Sequence, residues 1–213
     1  MIKSIKKYIN FYLIYDKGLM KENMGEYNDA LDCFYLALSL KPKSIKTYKS
    51  IARICSKNKT HLNGIDFLNK ASWRFPDKAE IYALKAELYR KIKDYDNSLK
   101  EYDLALKYDG GNWEYYIQRA HIKELKGDLQ GALNDYNGAV NFNKTSGSLF
   151  SKRAFCRFER KNFSDAAADY NAASKLNPKK GHYYYMLGSM QKLLRNNEDA
   201  ENNFRAAKKI GVF

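Results

Sequence analysis

The stretch Asn162–Pro178, with the sequence NFSDAAADYNAASKLNP, decides how this chain folds. Phe163, Ala166, Tyr170 and Ala173 follow one another at intervals of three or four residues, so they share one face of an α-helix. Large and small side chains alternate on that face, which suits close packing against other helices. The proline that closes the stretch indicates that the helix has ended.

The same pattern recurs every 34 residues along the chain. If Phe11 is position 1, six repeats follow one another without an insertion or a deletion. Position 8 holds Gly18, Ala52, Ala86, Ala120, Ala154 and Gly188, position 20 holds Ala30, Gly64, Ser98, Ala132, Ala166 and Ala200, and position 24 holds Phe34, Leu68, Tyr102, Tyr136, Tyr170 and Phe204. A strict period of this length predicts helix pairs that stack on their neighbours.

This pattern resembles the tetratricopeptide-repeat family, whose repeat is a helix–turn–helix of about 34 residues. The resemblance implies an all-α fold, a right-handed α-solenoid of about six such repeats. The chain would be a single solenoid domain, 1–213, with repeats at 11–44, 45–78, 79–112, 113–146, 147–180 and 181–213. Gly64 replaces the usual alanine at position 20, and we expect this departure to weaken the second repeat.

Turn residues and hydrophobic spacing set the predicted helix bounds within the repeats. Examples are helices at Ile45–Lys57, Asn63–Phe75, Tyr95–Tyr108, Trp113–Leu125 and Leu129–Phe142, the first of them capped by Ser44. Residues 1–10 are expected to extend the first helix, with Ile2, Ile5, Ile9 and Leu13 on one face that covers the end of the solenoid. The last helix is expected to have a polar outer face.

Composition excludes several classes of protein. The three cysteines are scattered and form no CxxC, which favours a reducing compartment, the cytoplasm, over a disulfide framework. The three histidines lack the spacing of metal ligands, and we expect no metal or cofactor. The apolar run near the N-terminus is too short for a membrane span and has no cleavage site of a signal peptide.

The net charge of +14 is concentrated in the second and fifth repeats. The resemblance implies that positions 2, 5, 6, 9, 12 and 13 of each first helix line a concave groove, basic in the second repeat and aromatic in the fifth and sixth. The candidate partner-binding residues are Lys46, Lys49, Arg53, Lys57, Gln118, His121, Lys152, Phe155, Phe158, Tyr185 and Met186. The basic face is either an anion-binding stripe or a solvated surface, and the aromatic residues either bind a partner or pack locally.

The predicted function is a non-enzymatic scaffold that binds a peptide or protein, with acidic and apolar character, in the groove. The alternative is a nucleic-acid-binding repeat protein, since basic side chains track phosphates and aromatic rings stack on bases. The sequence lacks the GxSxG, P-loop, HExxH and GxGxxG motifs, each of which would indicate an enzyme. One subtype of the family clamps a C-terminal carboxylate, but Leu84, Glu114 and Gln118 replace the residues that it needs. Homo-oligomerisation is left open.

Overall fold

A computed structural model describes residues 2–211, with the side chains of residues 6–211, so Met1, Val212 and Phe213 lie outside the described part. Residues 2–211 form twelve α-helices and no strand. They are α1 (Ile2–Asn23), α2 (Tyr27–Leu40), α3 (Ile45–Lys57), α4 (His61–Arg74), α5 (Ala79–Lys91), α6 (Tyr95–Tyr108), α7 (Trp113–Leu125), α8 (Leu129–Phe142), α9 (Gly147–Glu159), α10 (Phe163–Leu176), α11 (Gly181–Leu193) and α12 (Asn197–Lys209). The predicted all-α fold of six helix–turn–helix repeats is confirmed. Helices α3, α6, α7 and α8 have the predicted bounds, whereas α4 begins at His61 rather than Asn63 and ends at Arg74 rather than Phe75.

The chain forms two compact units, Met1–Asp109 and Gly110–Phe213. Each unit contains three consecutive helix pairs, and within each unit neighbouring helices pack against one another. The expectation of a single solenoid domain stays a prediction.

One residue in the turn of each helix pair lies in the left-handed region, at position 15 of the repeat. Repeats 1 and 4 have glycine there, Gly25 and Gly127, with φ of 79° and 78°. The other four repeats have a cation at this position with φ between 57° and 64°: Lys59, Lys93, Lys161 and Arg195. Because this conformation costs a non-glycine residue about 1–2 kcal/mol, the helix contacts must hold these turns in place.

Several helices begin at a side chain that accepts a backbone N–H. Asp94, Asp128 and Asn162 each accept the N–H three residues further on, at 3.2, 2.8 and 3.3 Å. Ser44 is the N-cap residue of α3, as predicted, but its side chain accepts no backbone N–H and its hydroxyl instead accepts a hydrogen bond from the Thr47 hydroxyl at 2.8 Å. The start of α3 therefore has a buried hydroxyl pair instead of a side-chain cap.

Small residues let the two helices of a pair approach closely. A Cβ atom on Gly18 would lie 2.8 Å from the Phe34 ring. A Cβ atom on Gly64 would lie 2.8 Å from Leu88 and 2.9 Å from Cys55. The glycine at position 20 of the second repeat therefore has a packing reason, since Cys55 of α3 and Leu88 of α5 crowd the place of an alanine methyl group.

Helix α1 is continuous from Ile2 to Asn23. Of the residues predicted to cover the end of the stack, Ile2 and Ile5 have side chains outside the described part. Ile9 and Leu13 are exposed, so they do not cover the core. The helix instead turns Phe11 inward, where it is almost completely buried.

The last helix, α12, presents the predicted polar outer face. It buries Ala200 and Ala207 and leaves Glu201, Arg205 and Lys208 exposed. This helix thus suits a terminal position in a stack.

Candidate partner-binding surfaces

The basic stripe of the second repeat lies on α3, with Lys46, Lys49, Arg53 and Lys57 all exposed. Lys46 is nevertheless engaged within the first unit. Its ammonium group lies 3.8 Å from the ring centroid of Tyr15 and close to two further aromatic rings of α1. Cation–π attraction therefore holds this lysine against the first helix.

Two other cations of the stripe bind one buried carboxylate, that of Glu22 on α1. Glu22 accepts hydrogen bonds from Arg53 Nε at 2.7 Å and Nη2 at 2.6 Å, and from Lys57 Nζ at 2.9 Å. Arg53 makes the largest contribution to lowering the pKa of Glu22, and burial opposes it. One of the four positive charges of the stripe is thus neutralised, and two of its side chains are held in place.

Ionised Glu22 should make the stability of the chain depend on pH. Because its folded-state pKa is lowered, its contribution is present above the unfolded-state pKa and is lost as the pH falls through the folded-state pKa. We expect the difference in free energy of unfolding between the wild type and Glu22→Gln to shrink between neutral pH and about pH 3. Urea unfolding at several pH values measures this difference. The exposed Glu26→Gln is the control, and a Glu22→Gln difference that stays constant with pH would contradict the assignment.

A depression of about 320 Å³ lies between α3 and α5 in the first unit. Ala52, Leu84 and Leu88 give it an apolar floor. Lys49 and Lys91 stand at its edge, exposed and without an ion pair among the described side chains. The depression is therefore suited to a ligand that has both apolar and acidic groups.

The aromatic candidates of the second unit divide into two pairs. Phe155 on α9 and Tyr185 on α11 expose more than a third of their surface. Phe158 and Met186 are partly buried against the core of the second unit, and the Phe158 ring lies 6.0 Å from that of Phe163. Only the first pair thus presents large exposed apolar surface to a partner.

The remaining candidates are Gln118 and His121 on α7 and Lys152 on α9. Gln118 and Lys152 are exposed, and His121 Nδ1 lies 3.4 Å from Glu124 Oε2. The Cys156 thiol donates to Glu124 Oε1 at 3.2 Å. Burial, with this hydrogen bond, raises the pKa of Cys156 to about 12, so the thiol is protonated at neutral pH and is a poor nucleophile.

Buried ion pairs between position 7 and position 23 escaped the sequence analysis. Lys85 binds Glu101 at 2.7 Å in repeat 3, and Arg153 Nη2 binds Asp169 at 2.7 Å in repeat 5. Arg119 binds Asp135 in the same way in repeat 4. The signal was available, because a cation and an acid 16 residues apart recur with the 34-residue period. These charges hold the two helices of a pair together and are not available to a partner.

The described part of the chain contains neither a metal-binding cluster nor a membrane-spanning helix. Among its side chains, no group of three or more His, Cys, Asp or Glu residues could hold a metal ion. No helix within residues 2–211 is both long enough and apolar enough to cross a membrane.

Comparison with known proteins places these helix pairs in a family. A sequence model of the tetratricopeptide repeat matches residues 12–44 and 79–112, which are two of the six predicted repeats. Residues 12–44 and 79–112 are therefore tetratricopeptide repeats. The unmatched repeats keep the same period and the same helix pair, so they extend the array on both sides of the second match. No curated protein sequence matches the chain.

Solved structures of tetratricopeptide-repeat proteins share this fold. BtubC (BKLC) from P. vanneervenii superposes with a TM-score of 0.72 at 16% identity, over 89% of this chain and 90% of that one. YrrB, described as a TPR protein with an unusual peptide-binding site, gives 0.68 at 17% identity, over 84% and 92%. TTC0263, a thermophilic TPR protein in Thermus thermophilus, gives 0.60 at 18% identity, over 84% and 98%. Identities this low show the fold alone, and the fold supports a protein-interaction scaffold in general.

Proposed function

We propose that this chain is a non-enzymatic interaction scaffold that binds an acidic, partly apolar peptide segment in the depression between α3 and α5. The observation that carries the proposal is the pair of unpaired cations, Lys49 and Lys91, at the edge of an apolar floor. Carboxylates of the segment would meet these ammonium groups. Its apolar side chains would cover Leu84 and Leu88. The three free cysteines fit a reducing compartment such as the cytoplasm.

The neighbouring cations of the stripe would help to shape this site. Glu22 fixes Arg53 and Lys57 in place, so these two side chains form one wall of the depression. A pre-ordered wall loses little side-chain entropy when a ligand binds. YrrB is described as having a peptide-binding site, which agrees with peptide binding on this fold.

In the second unit we propose a separate contact through Phe155 and Tyr185. Exposed aromatic side chains are frequent anchors at interfaces, where they supply affinity, while charges set the rate of encounter. Phe155→Ala should therefore speed dissociation of a bound partner. Changes to the first-unit lysines should slow association instead.

The test is peptide binding by charge-reversed variants. We expect the double variant Lys49→Glu, Lys91→Glu to bind a fluorescent peptide of alternating Glu and Leu at least about tenfold more weakly than the wild type. The matched control reverses Lys100 and Lys107, which are exposed on α6 and change the net charge equally. Fluorescence anisotropy at low and moderate salt measures both. Equal weakening in the two double variants would show a general charge effect and contradict the site.

Nucleic-acid binding is the competing function, and a second probe separates it. Labelled single-stranded RNA should bind the wild type weakly and lose affinity steeply with salt, without a difference between the two double variants. If RNA binds tightly and the acidic peptide does not, the scaffold proposal is wrong.

A further inference from the structure

The outer face of α1 carries an apolar stripe that nothing in the described part of the chain covers. Leu13 and Met20 lie at positions 3 and 10 of the first repeat and leave 65% and 60% of their surface exposed. They are seven residues apart, two turns of helix, so both point to the same side. Ile9, four residues before Leu13, is also more than half exposed and continues the stripe.

The same two positions are buried in the repeats that stand second or third in their unit. There they hold Thr47 and Ile54, Ile81 and Leu88, Leu149 and Cys156, and Tyr183 and Met190, each with at most 5% of its surface exposed. Positions 3 and 10 therefore form a stacking face in these repeats. The first repeat has the apolar residues of such a face without the burial.

The helix that covers this face in other repeats is the second helix of the preceding repeat. In the second unit, Leu149 and Cys156 of α9 share a cluster with Leu133 and Val140 of α8. Leu133 and Val140 are themselves seven residues apart. In the first unit, Ile54 of α3 likewise packs with buried residues of α2. On α8 and α9, two apolar residues seven apart on one helix thus contact two residues seven apart on the other helix.

We propose that the stripe of Ile9, Leu13 and Met20 docks an amphipathic α-helix of a partner, which packs there as α8 packs on α9. The partner helix would carry branched aliphatic residues seven apart. It would carry acidic residues on one side of them, because Lys6 and Lys17 lie along one edge of the stripe, while exposed Asp16 lies along the other edge. Both lysines are exposed and lack an ion pair among the described side chains.

A second copy of this chain is a poor occupant. At the other end of the array, α12 has Glu201 and Lys208 where α8 has Leu133 and Val140, and both are exposed. Stacking α12 on the stripe would place these two charges against Leu13 and Met20, at a cost in desolvation.

The binding experiment uses a defined helix and the full chain. The probe is a fluorescent, lactam-bridged peptide of about 18 residues, because short unbridged helices are marginal in water. It carries Leu at two positions seven apart with Glu beside them. A second peptide has Lys in place of Glu, and a third has the same composition in scrambled order. Fluorescence anisotropy is measured with the wild type, Leu13→Glu, Met20→Glu and a control, Leu62→Glu, whose side chain is equally exposed on α4.

We expect the acidic peptide to bind the wild type and the control alike, and at least tenfold more weakly to either stripe variant. The basic and scrambled peptides should bind at least tenfold more weakly to the wild type. Circular dichroism checks that each variant keeps its helix content. Binding of the acidic peptide that is unaffected by Leu13→Glu would overturn the proposal.

Two further measurements distinguish the other occupants. Analytical ultracentrifugation that shows a wild-type dimer and a Leu13→Glu monomer would assign the stripe to a second copy and overturn the proposal. Sedimentation with vesicles of phosphatidylserine and phosphatidylcholine that depends on Leu13, without binding of the acidic peptide, would assign it to a lipid surface and also overturn the proposal.

Discussion

Asp169→Ala should lower the free energy of unfolding by about 3–5 kcal/mol. The Asp169 carboxylate is buried between the helices of the fifth repeat. It accepts from Arg153 Nε at 2.9 Å and Nη2 at 2.7 Å, and Arg157 Nη1 lies 2.7 Å from it. Removing the acid leaves the mostly buried guanidinium group of Arg153 without a counter-ion and that of Arg157 with only the exposed Asp165 at 4.0 Å. That uncompensated charge, rather than the lost attraction alone, makes the expected effect large.

Chemical denaturation of the two variants Asp169→Ala and Asp165→Ala measures this effect. Asp165 is exposed and lies 4.0 Å from Arg157, so its removal should cost less than about 1 kcal/mol. Replacing Asp169, Arg153 and Arg157 together by apolar residues of similar volume should restore much of the stability, because no buried charge remains. Similar losses for Asp169→Ala and Asp165→Ala would show that burial of the pair does not matter.

The helices were predictable because the same requirement for close helix packing recurs six times with the 34-residue period. Small residues at positions 8 and 20 and an aromatic residue at 24 are needed wherever two helices approach closely, so one weak copy is corrected by the others. Helix ends with clear turn residues were predicted to the residue, as at α8. The start of α4 was missed because His61 stands where four of the other repeats have an aromatic residue or leucine.

The pairing of charges was harder to predict than the helices. A sequence shows that Arg53 and Lys57 share a face, but not that Glu22, in the preceding repeat, lies opposite them. Periodicity could have revealed the pairs within repeats, since the acid at position 23 also binds a cation at position 11, Lys123 in repeat 4 and Arg157 in repeat 5. In the sixth repeat position 7 is Leu187, and only the pair between positions 11 and 23 remains, with neutral groups. There Asn203 Nδ2 donates to Gln191 Oε1 at 2.8 Å. Amides at these positions indicate that hydrogen bonding across the helix pair persists where charge does not.

The exposure of the groove candidates also depends on contacts with neighbouring side chains, which the repeat pattern does not specify. Phe155 and Phe158 both occupy positions assigned to the groove by the family resemblance. The structure exposes the first and packs the second near Phe163, because the turn after α9 places an aromatic residue beside it. A position in the repeat thus predicts the side of the helix, and the neighbouring turn determines how much of the side chain remains accessible.

Phe34→Ala should destabilise the chain by about 3–5 kcal/mol, and Phe204→Ala by about 1–2 kcal/mol. The two residues have the same side chain and the same position, 24, in the first and the last repeat. Each packs on a glycine of its own helix pair. A Cβ atom added to Gly18 would lie 2.8 Å from the Phe34 ring, and one added to Gly188 would lie 2.9 Å from the Phe204 ring. The contacts inside the pair are therefore closely matched.

The difference comes from the next repeat in the stack. Phe34 is completely buried and shares a cluster with Ile51 and Ile54 of α3, whereas Phe204 is only partly buried in the last described helix pair. Truncating Phe34 leaves a cavity enclosed by two repeats, and truncating Phe204 leaves one that water can reach. Urea unfolding of both variants compares the two losses directly. Equal losses would mean that the contacts inside one helix pair dominate stability, contrary to a stack held together by neighbouring repeats.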